Sequence, residues 1–311
     1  MDFDTYQQKA RDTDQKYAEK GMEKIVPLLG LAGEVGELLS EYKKFLRDGE
    51  ARRNSSTRMS EELGDLLWYL SNTASKFDLK LDDIARSNLE KCASRWKKTT
   101  KKYSLYDSDY DSSEQLDRNM SVELVEVKED GKLKTKVFVN GTRMGNDLTD
   151  NSFDDDGYRF HDVFHLSYAA ILGWSPVVRG LLGHKRKTND RVDEVQDGGR
   201  AVAIEEGISA LVFAAARDRN SFKNVKVIDI DLLRTIRSMS SHLEVSSRTY
   251  NDWERSILAG YRVWRDVVKL DSARIELDLV KRTIVLEGEA SKKTREEALK
   301  PSKNKKFPKQ R

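Results

Sequence analysis

The sequence has little cysteine and proline and no long apolar run, so it lacks the residues of disulfide frameworks, membrane spans and proline-kinked helices. It has one cysteine, Cys92, in 311 residues, which excludes an internal disulfide and a zinc site built from cysteines. No run approaches the roughly 20 apolar residues of a transmembrane helix, and the opening MDFDTYQQKA has no signal-peptide pattern. Only four prolines are present, which favours long helices. We therefore expect a soluble, cytoplasmic protein without a membrane partner.

Charge is abundant and unevenly distributed. Charged residues make up 35% of the sequence, above the typical value of about 25%, which favours well-solvated helices around small cores. Residues 292–311 contain nine lysines or arginines and two glutamates, so they carry +7 and the rest of the chain −4. The basic tail, residues 291–311, is predicted to be disordered. Nucleic acid is therefore not an expected partner except through this tail.

The order of the patterns along the chain predicts two domains. Residues 1–103 are predicted to form an N-terminal all-α helical bundle, and residues 104–118, SLYDSDYDSSEQLDR, have the composition of an acidic linker. Residues 119–290 are predicted to form a mainly α domain with short β-hairpins, an α+β arrangement. One hairpin is expected to turn at Asp130-Gly131, and a strand pair is expected within ARIELDLVKRTIVLEG. The helices of this domain are predicted over 158–172, 201–217, 229–243 and 250–268.

Two helical segments each carry a pair of acids three residues apart, at the edge of an apolar stripe. The pair is Glu34 and Glu37 in LAGEVGELLSEYKKFL, and Glu62 and Asp65 in EELGDLLWYLSNTASKF. A single pair of this kind is usually solvated surface. If the two stripes pack together, however, the four carboxylates converge, and cations are needed to offset their repulsion. Carboxylate oxygens suit Mg²⁺, which also takes phosphate oxygens as ligands.

These segments resemble the MazG-like all-α nucleoside triphosphate pyrophosphohydrolases. GLAGEVGELLSEYKK, EELGDLLWYLSNTASKFDLKLDDI and SNLEKCASRW match the motifs of that family in order. They supply Glu-x-x-Glu, then 24 residues, then Glu-x-x-Asp, followed by Asn88 and Lys91, with Arg95 one turn further on. Many members have a second acid before the first motif glutamate, where this chain has Gly33, so the number of metal ions stays open. The C-terminal segment from YRFHDVFHLSYAAILGW to EEGISALVF resembles the domain that accompanies MazG-like domains in some bacterial proteins.

The resemblance implies an enzyme that hydrolyses a (d)NTP between its α and β phosphates, giving (d)NMP and pyrophosphate. It implies Mg²⁺ as the cofactor, for which Mn²⁺ can substitute, and a homo-oligomer, either dimer or tetramer, with sites near subunit contacts. Its role is either nucleotide-pool cleansing or nucleotide depletion under stress. The catalytic metal ligands implied are Glu34, Glu37, Glu62 and Asp65. The substrate-binding residues implied are Asn88, Lys91 and Arg95.

A possible second site lies in the C-terminal domain, where His161 and His165 are four residues apart on one helix face. A zinc site needs a third ligand. The candidates are Glu205 and Glu206, together with Asp193, Glu194 and Asp197 in the polar loop that lies between the histidines and these glutamates. We expect both histidines to be hydrogen-bonded in a polar pocket without a tightly bound metal. Lys185, Arg186 and Lys187 are expected to be a solvated loop, with phosphate binding in this pocket as the alternative.

Two other functions remain open from the sequence. The first is a nucleotide-sensing regulator whose C-terminal domain is the effector, and the second is a nucleic-acid-associated protein that uses the basic tail. Release of pyrophosphate distinguishes an enzyme from a sensor. Deletion of residues 292–311 tests the tail, because nucleic-acid binding through lysine and arginine depends strongly on salt.

Overall fold

The computed structural model describes residues 1–15, 21–49, 55–96 and 104–300. The chain divides into two compact units, Met1–Ser94 and Arg95–Arg311. Within the described ranges, no helix combines the length and the low polarity that crossing a membrane requires.

The first unit is all-α, as the helical periodicity predicted. Its helices are α1 (Phe3–Asp12), α2 (Met22–Asp48), α3 (Ser55–Lys76) and α4 (Leu81–Trp96), the last of which runs into the second unit. The helix α1 begins where the side chain of Asp2 accepts a hydrogen bond from the backbone N–H of Thr5 at 2.7 Å. Gln7, which is buried, ties α1 to the turn between α3 and α4: its amide donates to the Leu79 carbonyl at 2.9 Å and accepts from the Leu81 N–H at 2.8 Å.

The two long helices α2 and α3 approach closely near the acid pairs. A Cβ built on Gly30 of α2 would lie only 2.1 Å from the ring of Tyr69 on α3, so the ring rests against the glycine backbone. Few apolar side chains of this unit are nonetheless buried: among its described residues they are Ala10, Pro27, Ala74 and Leu81. The helices α1 to α4 therefore enclose very little core on their own.

The second unit is built on a five-stranded antiparallel sheet with strand order β3-β2-β1-β4-β5. The strands are β1 (Asn119–Glu129), β2 (Lys132–Val139), β3 (Thr142–Leu148), β4 (Ser272–Asp278) and β5 (Thr283–Gly288). Both predicted strand pairs are present. Asp130 and Gly131, with φ of 51° and 76°, form the turn between β1 and β2, since both positions require the left-handed region. The sheet joins the two hairpins through β1 and β4, with Val122 opposite Ile275.

The helices of the second unit agree with the predicted ranges and add shorter ones. They are α5 (Asp162–Leu172), α6 (Pro176–Leu182), α7 (Asp190–Val195), α8 (Gly199–Arg217), α9 (Ile230–Met239), α10 (Tyr250–Val267) and α11 (Lys292–Ala298). One face of the sheet, including Val122 and Ile275, packs with α5, α8 and α10 in a single large core. The helices α5 and α10 approach closely because a Cβ on Gly260 would lie 2.7 Å from the hydroxyl of Ser167.

Residues 104–118 are packed into the second unit, in contrast to the linker that their composition predicted. Leu116 and Asp107 are each 1% exposed. The Asp107 carboxylate accepts from the backbone N–H of Leu116 at 2.8 Å and from the guanidinium of Arg179 at 2.7 Å. One acid of this segment, Asp107, is thus buried and hydrogen-bonded. Composition alone does not distinguish such a buried acid from a solvated one.

The beginning of the basic tail is also ordered. The helix α11 covers the second face of the sheet, where Ala298 packs with Val125 and Phe138. Lys136, whose side chain is fully buried, donates to the Ala298 carbonyl at 2.7 Å. The prediction of a disordered tail is therefore wrong for residues 291–300, because a small apolar face docks this segment on the sheet and the side chain of Ser291 caps its helix. Residues 301–311 lie outside the described residues.

Candidate functional site

The acid pairs of α2 and α3 lie side by side in the first unit. One carboxylate oxygen each from Glu34, Glu62 and Asp65 lies within 4.8 Å of the others. Glu37, the fourth predicted acid, is exposed and lies outside this group of three. The packing of α2 against α3 thus brings together three of the four predicted ligands directly.

The pKa of Glu62 reflects how close the acids lie to one another. Partial burial and the negative charges of Glu37, Glu34, Asp65 and Glu41 together raise the pKa of Glu62 above its ordinary value. Glu37 is therefore close enough to act on the cluster through its charge. A raised pKa means that the negative form of Glu62 is disfavoured, and a bound cation would reverse this.

Two residues near the acids were missed by the sequence analysis. Glu41 lies two turns after Glu34 on the same helix, is 6% exposed, and pairs with Lys44 at 2.6 Å. Its spacing of seven residues from Glu34 is the signal that would have identified it. Tyr6 on α1 is the second: burial first and the charge of Asp65 second raise the pKa of its phenol. No sequence signal links Tyr6 to Asp65, because α1 reaches the site only through tertiary packing.

The glycines beside the acids leave open space around the carboxylates. A Cβ placed on Gly33, Gly36 or Gly64 would meet nothing within 4 Å in the described structure. Each of these glycines costs roughly 1 kcal/mol of helix stability relative to alanine. The helices α2 and α3 thus carry three small residues where no neighbouring atom requires them.

Two of the predicted substrate-binding residues, Asn88 and Lys91, line one cleft of the first unit. Asn88 and Lys91, both exposed, line an open cleft of about 710 Å³ at the start of α4, together with Asp83 and Ser87. Of the residues that the structure describes, none of the four acids lines this cleft. The structure therefore brings Asn88 and Lys91 together in one cleft, and that cleft is not lined by the predicted metal ligands.

Arg95 is grouped with the second unit and is 7% exposed. Its guanidinium donates to the carbonyl of Ile228 and lies 3.5 Å from the carboxylate of Glu254. These contacts give Arg95 a place in the second unit, where its charge is compensated by a buried acid.

The predicted second site is assembled around α5 and α8. His165, 1% exposed, has its Nδ1 2.9 Å from Glu205 Oε1 and its Nε2 3.4 Å from Glu206 Oε2. His161 has its Nδ1 2.8 Å from the carbonyl of Tyr158. Burial alone would lower the pKa of His165, but Glu205 and Glu206 outweigh it and raise the pKa to about 10. The structure therefore brings all four predicted residues together.

Arg186 of the basic run and Asp197 of the polar loop are buried and pair with each other. Arg186 is 1% exposed, so it is not part of a solvated loop. Its guanidinium pairs with Asp197 at 2.7 Å and with Glu244 at 2.8 Å. Asp197 is accordingly used by an arginine, which removes it from the possible third ligands of the histidines. A buried double ion pair of this kind was not visible from a three-residue basic run.

Comparison with known proteins covers both units. The family model of the MazG nucleotide pyrophosphohydrolase domain matches residues 24–100, and that of the MazG C-terminal domain matches residues 101–290. The chain is also similar to the gene 37 protein of Mycobacterium phage L5, with 35% identity over 101 residues, which cover 30% of this chain and 89% of the phage protein. No solved structure matched the chain.

Proposed function

Because the chain belongs to the MazG family of nucleotide pyrophosphohydrolases, we propose that its first unit hydrolyses a nucleoside triphosphate to the monophosphate and pyrophosphate with a divalent metal ion. The observation that carries the proposal is the group of Glu34, Glu62 and Asp65, whose oxygens lie within 4.8 Å of one another. The neighbouring charges of Glu37 and Glu41 raise the pKa of Glu62 further, which partial burial already raises. Such a cluster is stable at neutral pH chiefly when a cation neutralises it.

The donor set fits a hard cation such as Mg²⁺. Three carboxylates on two adjacent helices supply only oxygen atoms, which Mg²⁺ prefers to nitrogen or sulfur. When bound, Mg²⁺ supplies positive charge for the phosphate oxygens and lowers the pKa of a bound water. The assigned metal ligands are Glu34, Glu62 and Asp65, with Glu37 as the fourth acid.

The glycines beside the acids leave room for the substrate, and Asn88 and Lys91 suit its phosphates. Open space at Gly33, Gly36 and Gly64 gives a phosphate chain access to the carboxylates. Asn88 and Lys91 are a donor pair suited to phosphate oxygens, since an ammonium and an amide N–H both donate. They line a cleft that includes none of the four acids, which supports a site that a second copy completes.

A second copy is also supported by the apolar surface of the first unit. Along α2 the exposed side chains recur at helical spacing on one stripe, with Val35 44%, Leu39 62%, Tyr42 49% and Leu46 66% exposed. The predicted inward stripe is therefore largely uncovered. Contiguous exposed apolar surface of this kind is typical of protein–protein interfaces. Since the unit buries few apolar side chains by itself, we assign the stripe to contact with another copy of this chain.

The hydrolysis proposal is tested by incubating the full-length protein with each canonical and modified NTP and measuring monophosphate and pyrophosphate separately. Asp65→Asn and Glu34→Gln are expected to abolish release of both products in the presence of Mg²⁺, with the fold unchanged by circular dichroism. Glu61→Gln is the matched control, since Glu61 is an exposed acid on the same turn as Glu62 but outside the cluster. Wild-type rates in Asp65→Asn would reject this site, and NTP binding without pyrophosphate release would favour a sensor.

A further inference from the structure

The second unit contains a group of metal-binding side chains that the hydrolysis of NTP does not use. His161 and His165 project from the start of α5, and Glu206 comes from α8. One ligand atom from each of the three lies within 4.8 Å of the others. We propose that His161, His165 and Glu206 bind a divalent transition-metal ion, with Zn²⁺ as the representative ion.

The hydrogen bonds of the two rings select the tautomer that a metal requires. The Nδ1 of His165 faces a carboxylate oxygen of Glu205 at 2.9 Å, and the Nδ1 of His161 faces the backbone carbonyl of Tyr158 at 2.8 Å. Both partners only accept, so each Nδ1 carries a proton. Without a metal, the ring of His165 also carries a proton on Nε2, since its pKa is about 10. A bound metal ion replaces that proton, which is released to solvent, and Nε2 then binds the metal through its lone pair. Imidazole ligands of metals are commonly oriented by a partner on Nδ1 in this way.

The Nε2 atom of His165 is buried and has no hydrogen-bond partner among the described residues. It lies 3.4 Å from Glu206 Oε2, which is within ion-pair distance but lacks the geometry of a hydrogen bond. An unsatisfied buried polar atom costs about 1–3 kcal/mol, and most such atoms in native proteins have a partner. A metal ion bound by His165 Nε2 and Glu206 would satisfy this atom.

Glu205 has the role of a positioning residue. It is fully buried, and it accepts from the Ser175 hydroxyl at 2.7 Å and from the backbone N–H of Val177 at 2.9 Å. These bonds hold its carboxylate against His165 Nδ1 and away from the group of ligand atoms. Carboxylates that orient a metal-binding histidine through its second nitrogen act in this manner. Of the two adjacent glutamates, Glu206 is therefore the ligand and Glu205 its support.

The ligand types and their exposure indicate which metal fits. Two imidazoles and one carboxylate suit Zn²⁺ and related ions, whereas Mg²⁺ prefers oxygen alone. The side chain of Glu206 is 44% exposed, so the group opens to solvent on its side. Three protein ligands leave a fourth position for water in a tetrahedral site, which is the arrangement of catalytic rather than structural zinc. This proposal departs from the expectation, drawn from the sequence, that the histidines hold no tightly bound metal.

The test uses the full-length protein, stripped of metal with a chelator and then equilibrated with excess Mg²⁺ to occupy the carboxylates of the first unit. Zn²⁺ is titrated against a chromophoric chelator, and one tightly bound Zn²⁺ per chain is expected. Glu206→Gln and His161→Gln are each expected to weaken Zn²⁺ binding by at least about tenfold, the lower range for loss even of a supporting residue. Co²⁺ bound in place of Zn²⁺ should give a visible absorption spectrum that both variants lose.

Two matched variants separate this site from other acids. Glu62→Gln removes a carboxylate of the first unit, and Glu194→Gln removes an exposed acid on α7; both are expected to bind Zn²⁺ as the wild type does. Circular dichroism is used to check the fold of Glu206→Gln, which is expected to be unchanged because the side chain is 44% exposed. Failure of the wild type to bind Zn²⁺ would overturn the proposal and identify His165 as an imidazolium between two carboxylates. Unchanged binding in Glu206→Gln would overturn it as well.

Discussion

The pKa of Glu62 is set by the residues around it, and Glu61, the preceding residue in the chain, does not share these surroundings. Glu62 lies one residue from Glu61, yet only Glu62 belongs to the cluster with Glu34 and Asp65. Partial burial and four nearby acids raise the pKa of Glu62 above its ordinary value of 4.5. The ionised form is therefore less favourable in the folded state than in the unfolded chain. As the pH rises from 4.5 through the raised pKa, the unfolded state releases its proton first, and the free energy of unfolding decreases.

The metal-free Glu62→Gln variant is accordingly expected to be more stable than the wild type at neutral pH, because the amide carries no charge. Thermal unfolding in buffer with a chelator should give a higher melting temperature for Glu62→Gln and an unchanged one for Glu61→Gln. Added Mg²⁺ should stabilise the wild type and not Glu62→Gln. A lower melting temperature for metal-free Glu62→Gln would show that the carboxylate has a favourable partner in the folded protein.

The sequence identified the acids because spacing in a helix determines which side chains share a face. Glu34, Glu62 and Asp65 were found in this way. Tyr6 could not be found, because its approach to Asp65 depends on where α1 packs. In the second unit, spacing paired His161 with His165, but five acids were possible third ligands. Choosing Glu206 required the orientation of α8 against α5.

Two glycines of α2, Gly30 and Gly36, have opposite surroundings, so replacing each with alanine should change the stability in opposite directions. A Cβ on Gly30 would lie 2.1 Å from the Tyr69 ring, whereas a Cβ on Gly36 would meet nothing within 4 Å. Gly30→Ala is therefore expected to destabilise the protein by about 1–3 kcal/mol, the usual effect of overpacking. Gly36→Ala is expected to stabilise it by roughly 0.5–1 kcal/mol through helix propensity.

Chemical denaturation of both glycine variants gives these free energies, and NTP hydrolysis gives the second readout. If the space at Gly36 admits substrate, Gly36→Ala should be more stable and less active than the wild type. Full activity in a stabilised Gly36→Ala would show that the space has no role in the reaction.

Segment 104–118 contributes an acid on which the second unit depends. Burial alone would raise the pKa of Asp107, but Arg179 and the Leu116 N–H outweigh it and lower the pKa. Asp107 therefore stabilises the fold above its unfolded pKa of about 3.8, and this contribution is lost as the pH falls through the lower folded value.

Asp107→Asn is expected to lose about 3–5 kcal/mol at neutral pH, since it removes the nearer of the two buried carboxylates of Arg179 and leaves only Asp197, at 3.8 Å. The difference from the wild type should shrink in acid, as the wild-type carboxyl is protonated. Urea unfolding at a series of pH values measures both effects. Asp109→Asn, at an exposed acid two residues away, should match the wild type throughout; a loss as large as that of Asp107→Asn would show a general effect of charge in this segment.

The strands show how much of a sheet can be predicted from the sequence pattern of each strand alone. Alternation of apolar and polar residues, with Asp130-Gly131 at the turn, was sufficient to predict β1 and β2. It could not predict that β1 also pairs with β4, because a period of two residues specifies a face and not a partner. The docking of α11 was missed for a related reason: its apolar contribution is little more than Ala298, which a strongly basic composition conceals.

At the scale of the whole molecule, the exposed apolar stripe of α2 predicts that the protein assembles into an oligomer, and this can be measured. Leu46→Lys, at a side chain that is 66% exposed, is expected to reduce the mass of the full-length particle measured by light scattering. Leu299→Lys, at a side chain that is 74% exposed in the second unit, is the control and should not change the mass. Residues 1–103 alone are expected to form a helical oligomer. A monomeric wild-type chain would contradict the assignment of the stripe.

The pairing of β1 with β4 also has a consequence for the time course of biosynthesis. Val122 and Ile275 are partners across more than 150 residues, so the central strand pair cannot form until β4 has left the ribosome. Contacts within α1 to α4 are complete far earlier. Domains of this kind fold slowly, and their unpaired strand edges attract chaperones and promote aggregation while synthesis continues. Truncation just before Ser272 should therefore yield an insoluble nascent chain, although only two strands and a short helix would be missing from the described fold.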